Sequence, residues 1–151
     1  MILPCIDIDG NYRQFKFKLG NKYHNGRDRK CNEGTPVYST KNGKVIFSDN
    51  IKGFGSFGKP GGVVMIQSDD NNHTILYGHI KPLVNLNERV TKGQLIGRII
   101  KYEYMYNNKK IRADHLHWCS WKKGGIPTTK LGYVSKKELK YWEDPNINLG
   151  D

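Results

Sequence analysis

The stretch Gly61-Gly-Val-Val-Met-Ile-Gln-Ser-Asp-Asp-Asn-Asn-His-Thr-Ile-Leu-Tyr-Gly-His79 decides the fold class of this chain. Two runs rich in β-branched and aromatic residues, Gly62–Gln67 and His73–His79, flank Asp69-Asp70-Asn71-Asn72, whose side chains favour a turn. Two such runs joined by so short a turn are antiparallel neighbours. The same grammar holds outward: Thr35–Ser39, Lys44–Ser48, Gln94–Ile100 and His115–Trp121 read as further strands. Lys41-Asn42-Gly43 reads as a hairpin turn between the first two of these, with Gly43 supplying a positive φ. Gly53–Gly62 is too glycine-rich for a strand and is expected to be a mobile surface loop bordering a groove. The expected fold is all-β: a mainly antiparallel, sandwich-like core with long loops and a short C-terminal helix. Ser135 with Glu138 has capping-box spacing, and Val134 with Leu139 has staple spacing, so the helix begins there; Asp144-Pro145 limits its length. The 151 residues suit a single domain, with a core over about 21–121 and an extension over 122–151.

Composition narrows the function classes. Hydrophobic residues at 36% exclude a disordered chain, and no apolar run reaches the ~18–20 residues that a membrane-spanning helix needs. Met1-Ile-Leu-Pro-Cys5 is soon interrupted by Asp7 and Asp9, so no signal peptide is visible. Cys5, Cys31 and Cys119 are odd in number and lie outside any C-x-x-C pattern, which reads as buried thiols and not as a disulfide framework or zinc knuckle. The net charge of +11 draws the protein towards polyanions, anionic wall polymers or nucleic acid among them. Lys and Arg are spread along the chain in short pairs, which argues against a dedicated nucleic-acid arm.

The chemistry lies in the histidines. Four of the five fall in three short patterns: His24-Asn25-Gly26-Arg27-Asp28, Tyr77-Gly78-His79 and His115-Leu116-His117. Residues two apart on a strand share a face, so His115 and His117 present two imidazoles to one space while Leu116 and Trp118 face the other way. His24 and Asp28 are expected to converge across a tight loop, because Asn25-Gly26 is a turn signal. One carboxylate and two neutral imidazoles around a divalent ion leave one tetrahedral position open, as in zinc hydrolases. His79, on the face of Tyr77 and Ile75, is expected to point into the same cleft.

The series H-x-x-x-D (His24 to Asp28), T-P-V-Y with N-G-K-V (Thr35 to Val45), Y-G-H (Tyr77 to His79), V-x-K-G-Q-x-I-G (Val90 to Gly97) and H-L-H (within Asp114 to Trp118) resembles the lysostaphin/LytM family of zinc endopeptidases. The resemblance implies one Zn2+ per chain held by His24, Asp28 and His117. It also implies that His115 is general base to a zinc-activated water and that His79 polarises the water or stabilises the oxyanion. The implied substrate is peptidoglycan, in its stem peptide or cross-bridge, and the implied place of action is the bacterial cell wall, reached by secretion, in the periplasm or on a phage particle. Two other readings compete. One is a non-enzymatic member of this fold that binds wall or partner; the other is a basic nucleic-acid-binding β-domain, which leaves the histidines unexplained. His73 matches no family position and reads as a turn-flanking surface residue. Cys119, two residues beyond His117, is a candidate further ligand, but a fourth protein donor would close the open position. Tyr102–Arg112 departs from the small-residue loop often found before H-L-H, so a groove wall is altered; no substrate-binding residue is assigned.

Overall fold

The computed structural model describes residues 3–7 and 11–147. Its elements are β1 (Asn11–Arg13), β2 (Lys18–Leu19), β3 (Lys22–His24), β4 (Gly26–Lys30), β5 (Pro36–Tyr38), β6 (Gly43–Lys52), a 3-10 turn (Ser56–Gly58), β7 (Pro60–Ser68), β8 (Thr74–Pro82), β9 (Arg89–Val90), β10 (Leu95–Ile99), β11 (Glu103–Tyr106), β12 (Lys109–Arg112), β13 (His115–Trp121), β14 (Tyr133–Val134), α1 (Lys136–Leu139) and β15 (Trp142–Glu143). The large sheet has the order β1-β4-β13-β8-β7-β6-β9, with β10 joining β8 to β5 and β15 pairing β13. Two smaller sheets, β14-β3-β2 and β11-β12, flank it. The pairings are antiparallel, as the sequence predicts.

β7 and β8 form the expected hairpin across Asp69–Asn72, with Met65 opposite Leu76 and Ile66 opposite Ile75. Their runs are apolar throughout because both faces of the sheet are covered. Val64, Ile66, Ile75, Tyr77, Leu116 and Trp118 pack on one face with Val37, Ile96 and Ile99. Val63, Met65, Leu76, Cys119 and Trp121 pack on the other with Phe54, Val134 and Trp142. Burying one such large aliphatic or aromatic side chain contributes about 1.5–3 kcal/mol. The C-terminal extension therefore closes the second face of the core.

Several sequence expectations are corrected. Lys41-Asn42-Gly43 does not join a hairpin: β5 pairs with β10, and β6 with β7 and β9, so the chain changes pairing partner there. Gly43 is not in the left-handed region; it is required because a Cβ would lie 2.2 Å from the Gln67 carbonyl oxygen. The glycine-rich loop is shorter than expected, since Pro60–Gly62 already belong to β7, and backbone N–H groups of Gly53 and Gly55 donate to Lys59 O across it. α1 begins as expected: the Glu138 N–H donates to Ser135 Oγ (3.2 Å). The Glu138 carboxylate, however, accepts from Thr129 Oγ1 (2.5 Å). The helix stops before Lys140, well ahead of Asp144-Pro145. β4 escaped the sequence reading because Arg27-Asp28-Arg29-Lys30 has no apolar alternation; it is a strand because β13 pairs along it, Leu116 opposite Arg29 and Trp118 opposite Arg27.

Candidate metal centre

The register of β13 builds the site. Its His117 lies opposite Asp28 on β4 and opposite Gly78 on β8, so one residue sits between the two other polar motifs. Gly26 makes the approach possible: a Cβ there would lie 2.3 Å from the Trp118 carbonyl oxygen. His24 arrives from a different sheet. It ends β3, and Asn25 alone separates it from β4, so the expected tight loop is a single-residue step between sheets.

His79 reaches the cleft by a route the alternation did not predict. Between β7 and β8 the register shifts: Gly62 pairs with Ile80, and Val63 with Gly78. His79 is the extra residue of a β-bulge, with φ 65°. Regular alternation would put it on the Tyr77 face; the bulge gives that position to Ile80, which joins Ile75 and Tyr77 in the core. A left-handed non-glycine residue costs about 1–3 kcal/mol, and the surroundings hold it. Tyr77 anchors the strand by hydrogen bonds with the N–H and Oγ1 of Thr40. Gly78 leaves room for Phe54, whose ring would lie 2.4 Å from a Cβ. The Phe54 carbonyl in turn accepts from His79 Nδ1–H (2.8 Å).

Each of the other site histidines is fixed in the same way. His24 Nδ1–H donates to Gln14 O (2.9 Å), His117 Nε2–H to Asn25 Oδ1 (3.1 Å), and His115 Nδ1–H to Ala113 O (2.7 Å). An oxygen acceptor on one nitrogen requires the proton there, so the neutral ring turns its lone pair the other way. His24 Nε2, His117 Nδ1 and Asp28 Oδ1 consequently meet at 2.9–3.3 Å from one another. Three acceptors facing one point repel unless a cation lies between them. The edges of a tetrahedron built on bonds of about 2.0–2.1 Å are about 3.3–3.4 Å, within a few tenths of those separations. Among the described residues, His24, Asp28 and His117 form the group able to hold a metal ion, and all three are buried. Cys119 is not in it; its thiol is pushed up by burial and packs in the core.

The protonation states suit a cation. Burial alone would raise the Asp28 carboxyl, but the imidazoles of His115, His117 and His24 around it outweigh burial and hold the group well below the usual carboxylate range. Burial pushes His117 down, and burial together with repulsion from any proton on His115 or His117 pushes His79 well down, so both rings are neutral near pH 7. His115 Nε2 lies 3.8 Å from Asp28 Oδ2.

The sequence missed three contributors. Asn25, read only as a turn residue, also donates through Nδ2 to Leu131 O (3.0 Å). Gly132, in the C-terminal extension, would place a Cβ 3.2 Å from His117 Cε1. Tyr102 packs tilted against His79 (ring centroids 4.5 Å) and meets His115 edge-on (5.3 Å). No motif marks any of them. His73 is remote from the site and is not a bare surface residue: it is half-buried, with Nδ1 2.7 Å from Glu143 Oε1.

Fold and donor set define a class, an antiparallel β protein built round three converging donors that could hold a metal ion, with two further imidazoles beside them. Residues 22–128, more than half of the chain, match Peptidase family M23, and the chain belongs to that family. Among solved structures it is similar to the catalytic domain of the antimicrobial peptidase lysostaphin from Staphylococcus simulans, with 22% identity over 91% of this chain and 89% of that one (TM-score 0.62). It is also similar to the catalytic domain of the prophage-encoded M23 protein EnpA from Enterococcus faecalis, solved as a point mutant, with 20% identity over 83% of this chain and 86% of that one (TM-score 0.57). A zinc-containing peptidase from Vibrio cholerae shares 26% identity over 77% of this chain and 35% of that one (TM-score 0.58). No curated protein matches the chain significantly.

Proposed function

We propose that the chain is a zinc-dependent endopeptidase that hydrolyses peptide bonds of bacterial peptidoglycan, in a stem peptide or cross-bridge. The observation that carries this reading is the convergence of three buried acceptors, His24 Nε2, Asp28 Oδ1 and His117 Nδ1, on one point. Membership of Peptidase family M23 and likeness to lysostaphin support it. So does likeness to a zinc-containing peptidase. A merely binding member of the fold would have no reason to keep the donor set together with His79 and His115. A nucleic-acid-binding domain would not need it at all.

His24, Asp28 and His117 would hold one zinc, which would supply a Lewis acid able to polarise a scissile carbonyl and to lower the pKa of water. His115 accepts a proton at Nε2 from the attacking water; its Nδ1–H already donates to Ala113 O, which stabilises the imidazolium that forms. Asp28 Oδ2, at 3.8 Å, adds a nearby negative charge. His115 then returns the proton to the leaving amine. His79 is neutral and its hydrogen is committed to Phe54 O, so Nε2 acts as an acceptor. It orients the water, and an oxyanion would need a donor there. Gly132 lets the chain pass close against the His117 ring, where a Cβ would lie 3.2 Å from Cε1, and a cleft bordered by glycine-rich segments would admit an extended peptide of small residues. Action at the cell wall follows from the substrate. The +11 charge favours retention on anionic wall polymers, so wall binding weakens as salt rises. Among the described residues no helix is long and apolar enough to cross a membrane.

The test is bound zinc and wall hydrolysis on two variants, with the released peptides read by mass spectrometry. His117→Ala is expected to lose both metal and activity. His115→Ala is expected to keep near-stoichiometric zinc while turnover falls by about 10²–10⁴. Loss of zinc in His115→Ala with retention in His117→Ala reverses the roles; zinc unaffected in both removes the site.

A further inference from the structure

β11 and β12 stand apart from the large sheet as a two-stranded hairpin, closed by Asn107 and Asn108, both at positive φ. Such a hairpin is marginal in water by itself. Its base is braced. The Glu103 N–H donates to Ser56 Oγ (2.9 Å), the Tyr102 N–H donates to Asp114 Oδ1 (2.8 Å), and Arg112 binds both Asp114 oxygens. Yet the arm beyond this base keeps large apolar side chains in water: Tyr104 is 39% exposed, Met105 53% and Tyr106 64%. Contiguous exposed apolar side chains, as against scattered ones, mark interaction surfaces and ligand grooves.

Register gives the group a direction. The Ala113 N–H donates to Tyr102 O (2.9 Å), so Tyr102 continues the ladder in which Glu103 faces Arg112 and Tyr106 faces Lys109. Tyr102, Tyr104 and Tyr106 therefore share one face of the hairpin. Tyr102 touches both His79 and His115, so the row starts at those histidines and runs outward. Strand geometry spaces the tyrosines about 6.6–6.8 Å apart, which is also the two-residue repeat of an extended peptide.

We propose that the Tyr102-Tyr104-Tyr106 face is a subsite for the substrate's own extended peptide, holding about four residues on one side of the scissile bond, with alternate residues resting on Tyr104 and Tyr106. This rests on the peptidase reading above. The row's continuity with the histidines fixes the occupant: a chain whose carbonyl lies at His115 and continues past Tyr102 has this face in its path. Tyr102 is a positioning residue for the two imidazoles, while Tyr104 and Tyr106 discriminate substrates by length.

The test uses synthetic peptides centred on the bond identified in wall digests, extended from one to five residues on each side in turn. The readout is the ratio of kcat/KM for the longest to the shortest peptide, in which any general loss of activity cancels. For the wild type the ratio is expected to exceed about tenfold on one side and to stay near one on the other, the gain expressed in KM; a buried aromatic contact commonly contributes about a factor of ten. The double variant Tyr104→Ala, Tyr106→Ala is expected to bring the ratio near one, whereas Tyr104→Phe, Tyr106→Phe retains it. Zinc content and thermal midpoint show that the variants are folded. A ratio preserved in the alanine variant, or near one on both sides in the wild type, overturns the proposal while leaving the peptidase reading intact. A gain that requires an attached disaccharide instead of added residues assigns the face to glycan and also overturns it. If the wild type cleaves no peptide and no wall, both readings fail.

Discussion

Replacing Asn25 with alanine tests whether the histidines proposed as zinc ligands are held ready by the protein. Asn25 is fully buried and makes two side-chain hydrogen bonds, accepting from His117 Nε2–H and donating to Leu131 O. Asn25→Ala leaves a buried N–H and a carbonyl without these partners, at about 1–3 kcal/mol for such a group. The thermal midpoint should fall by roughly 4–8 °C for each kcal/mol in a 60–100-residue domain, and by about 2–4 °C at 150–250 residues. More telling is the effect on metal. Without Asn25, His117 is free to take the other tautomer, which turns an N–H towards Asp28 and His24 and removes a donor. Loss of a hydrogen bond that orients a ligand histidine typically costs about 10–100-fold in metal affinity. Zinc affinity measured by competition with a chromophoric chelator, alongside thermal unfolding of the metal-free protein, separates the two effects. Zinc affinity within twofold of wild type would refute the reasoning, even if the protein were less stable.

Three further outcomes follow from the packing. Gly26→Ala forces a Cβ against the Trp118 carbonyl at 2.3 Å and Cys119 Cβ at 2.5 Å, so it should destabilise by about 1–3 kcal/mol in denaturant melts and lower zinc occupancy as β4 parts from β13. Asp144 accepts from both Arg27 Nε–H and Nη2–H at 2.6 Å; burial raises its carboxyl, but the Arg27 hydrogen bonds and charge outweigh burial, and the net is a depressed pKa. A depressed carboxylate adds stability above its unfolded value of about 3.9, lost as pH falls through the lower folded value. Arg27→Ala should therefore destabilise the protein at pH 6 and do so less at pH 2–3, as denaturant midpoints would show. The Cys5 and Cys31 thiols are both buried in one core cluster, near enough to influence each other electrostatically, with Cys31 Sγ–H donating to Arg29 O (3.4 Å). A diazene oxidant, reduced to its hydrazine as it takes two hydrogens from the pair, should link them and leave Cys119 alkylatable after unfolding. Peptide mapping without reductant that finds Cys119 in the bridge would contradict the packing.

The sequence by itself determined what depends on spacing and side-chain chemistry. The β7–β8 hairpin was legible because the turn residues and apolar runs are adjacent in the chain, and the shared face of His115 and His117 followed from strand alternation. The resemblance supplied the grouping of His24, Asp28 and His117. Tertiary structure decided what depends on partners distant in sequence. β4 is a strand because β13 and β1 lie along it, and β5 leaves β6 for β10 because register across the sheet outweighs a local turn signal. His79 enters the cleft only because β7 is one residue short opposite β8, a mismatch invisible in either strand alone. Asn25, Gly132 and Tyr102 join the site through backbone hydrogen bonds and ring contacts that no local pattern encodes. Periodicity reports which face a residue takes; a bulge or a change of pairing partner alters that face, and both are set by how the whole sheet closes.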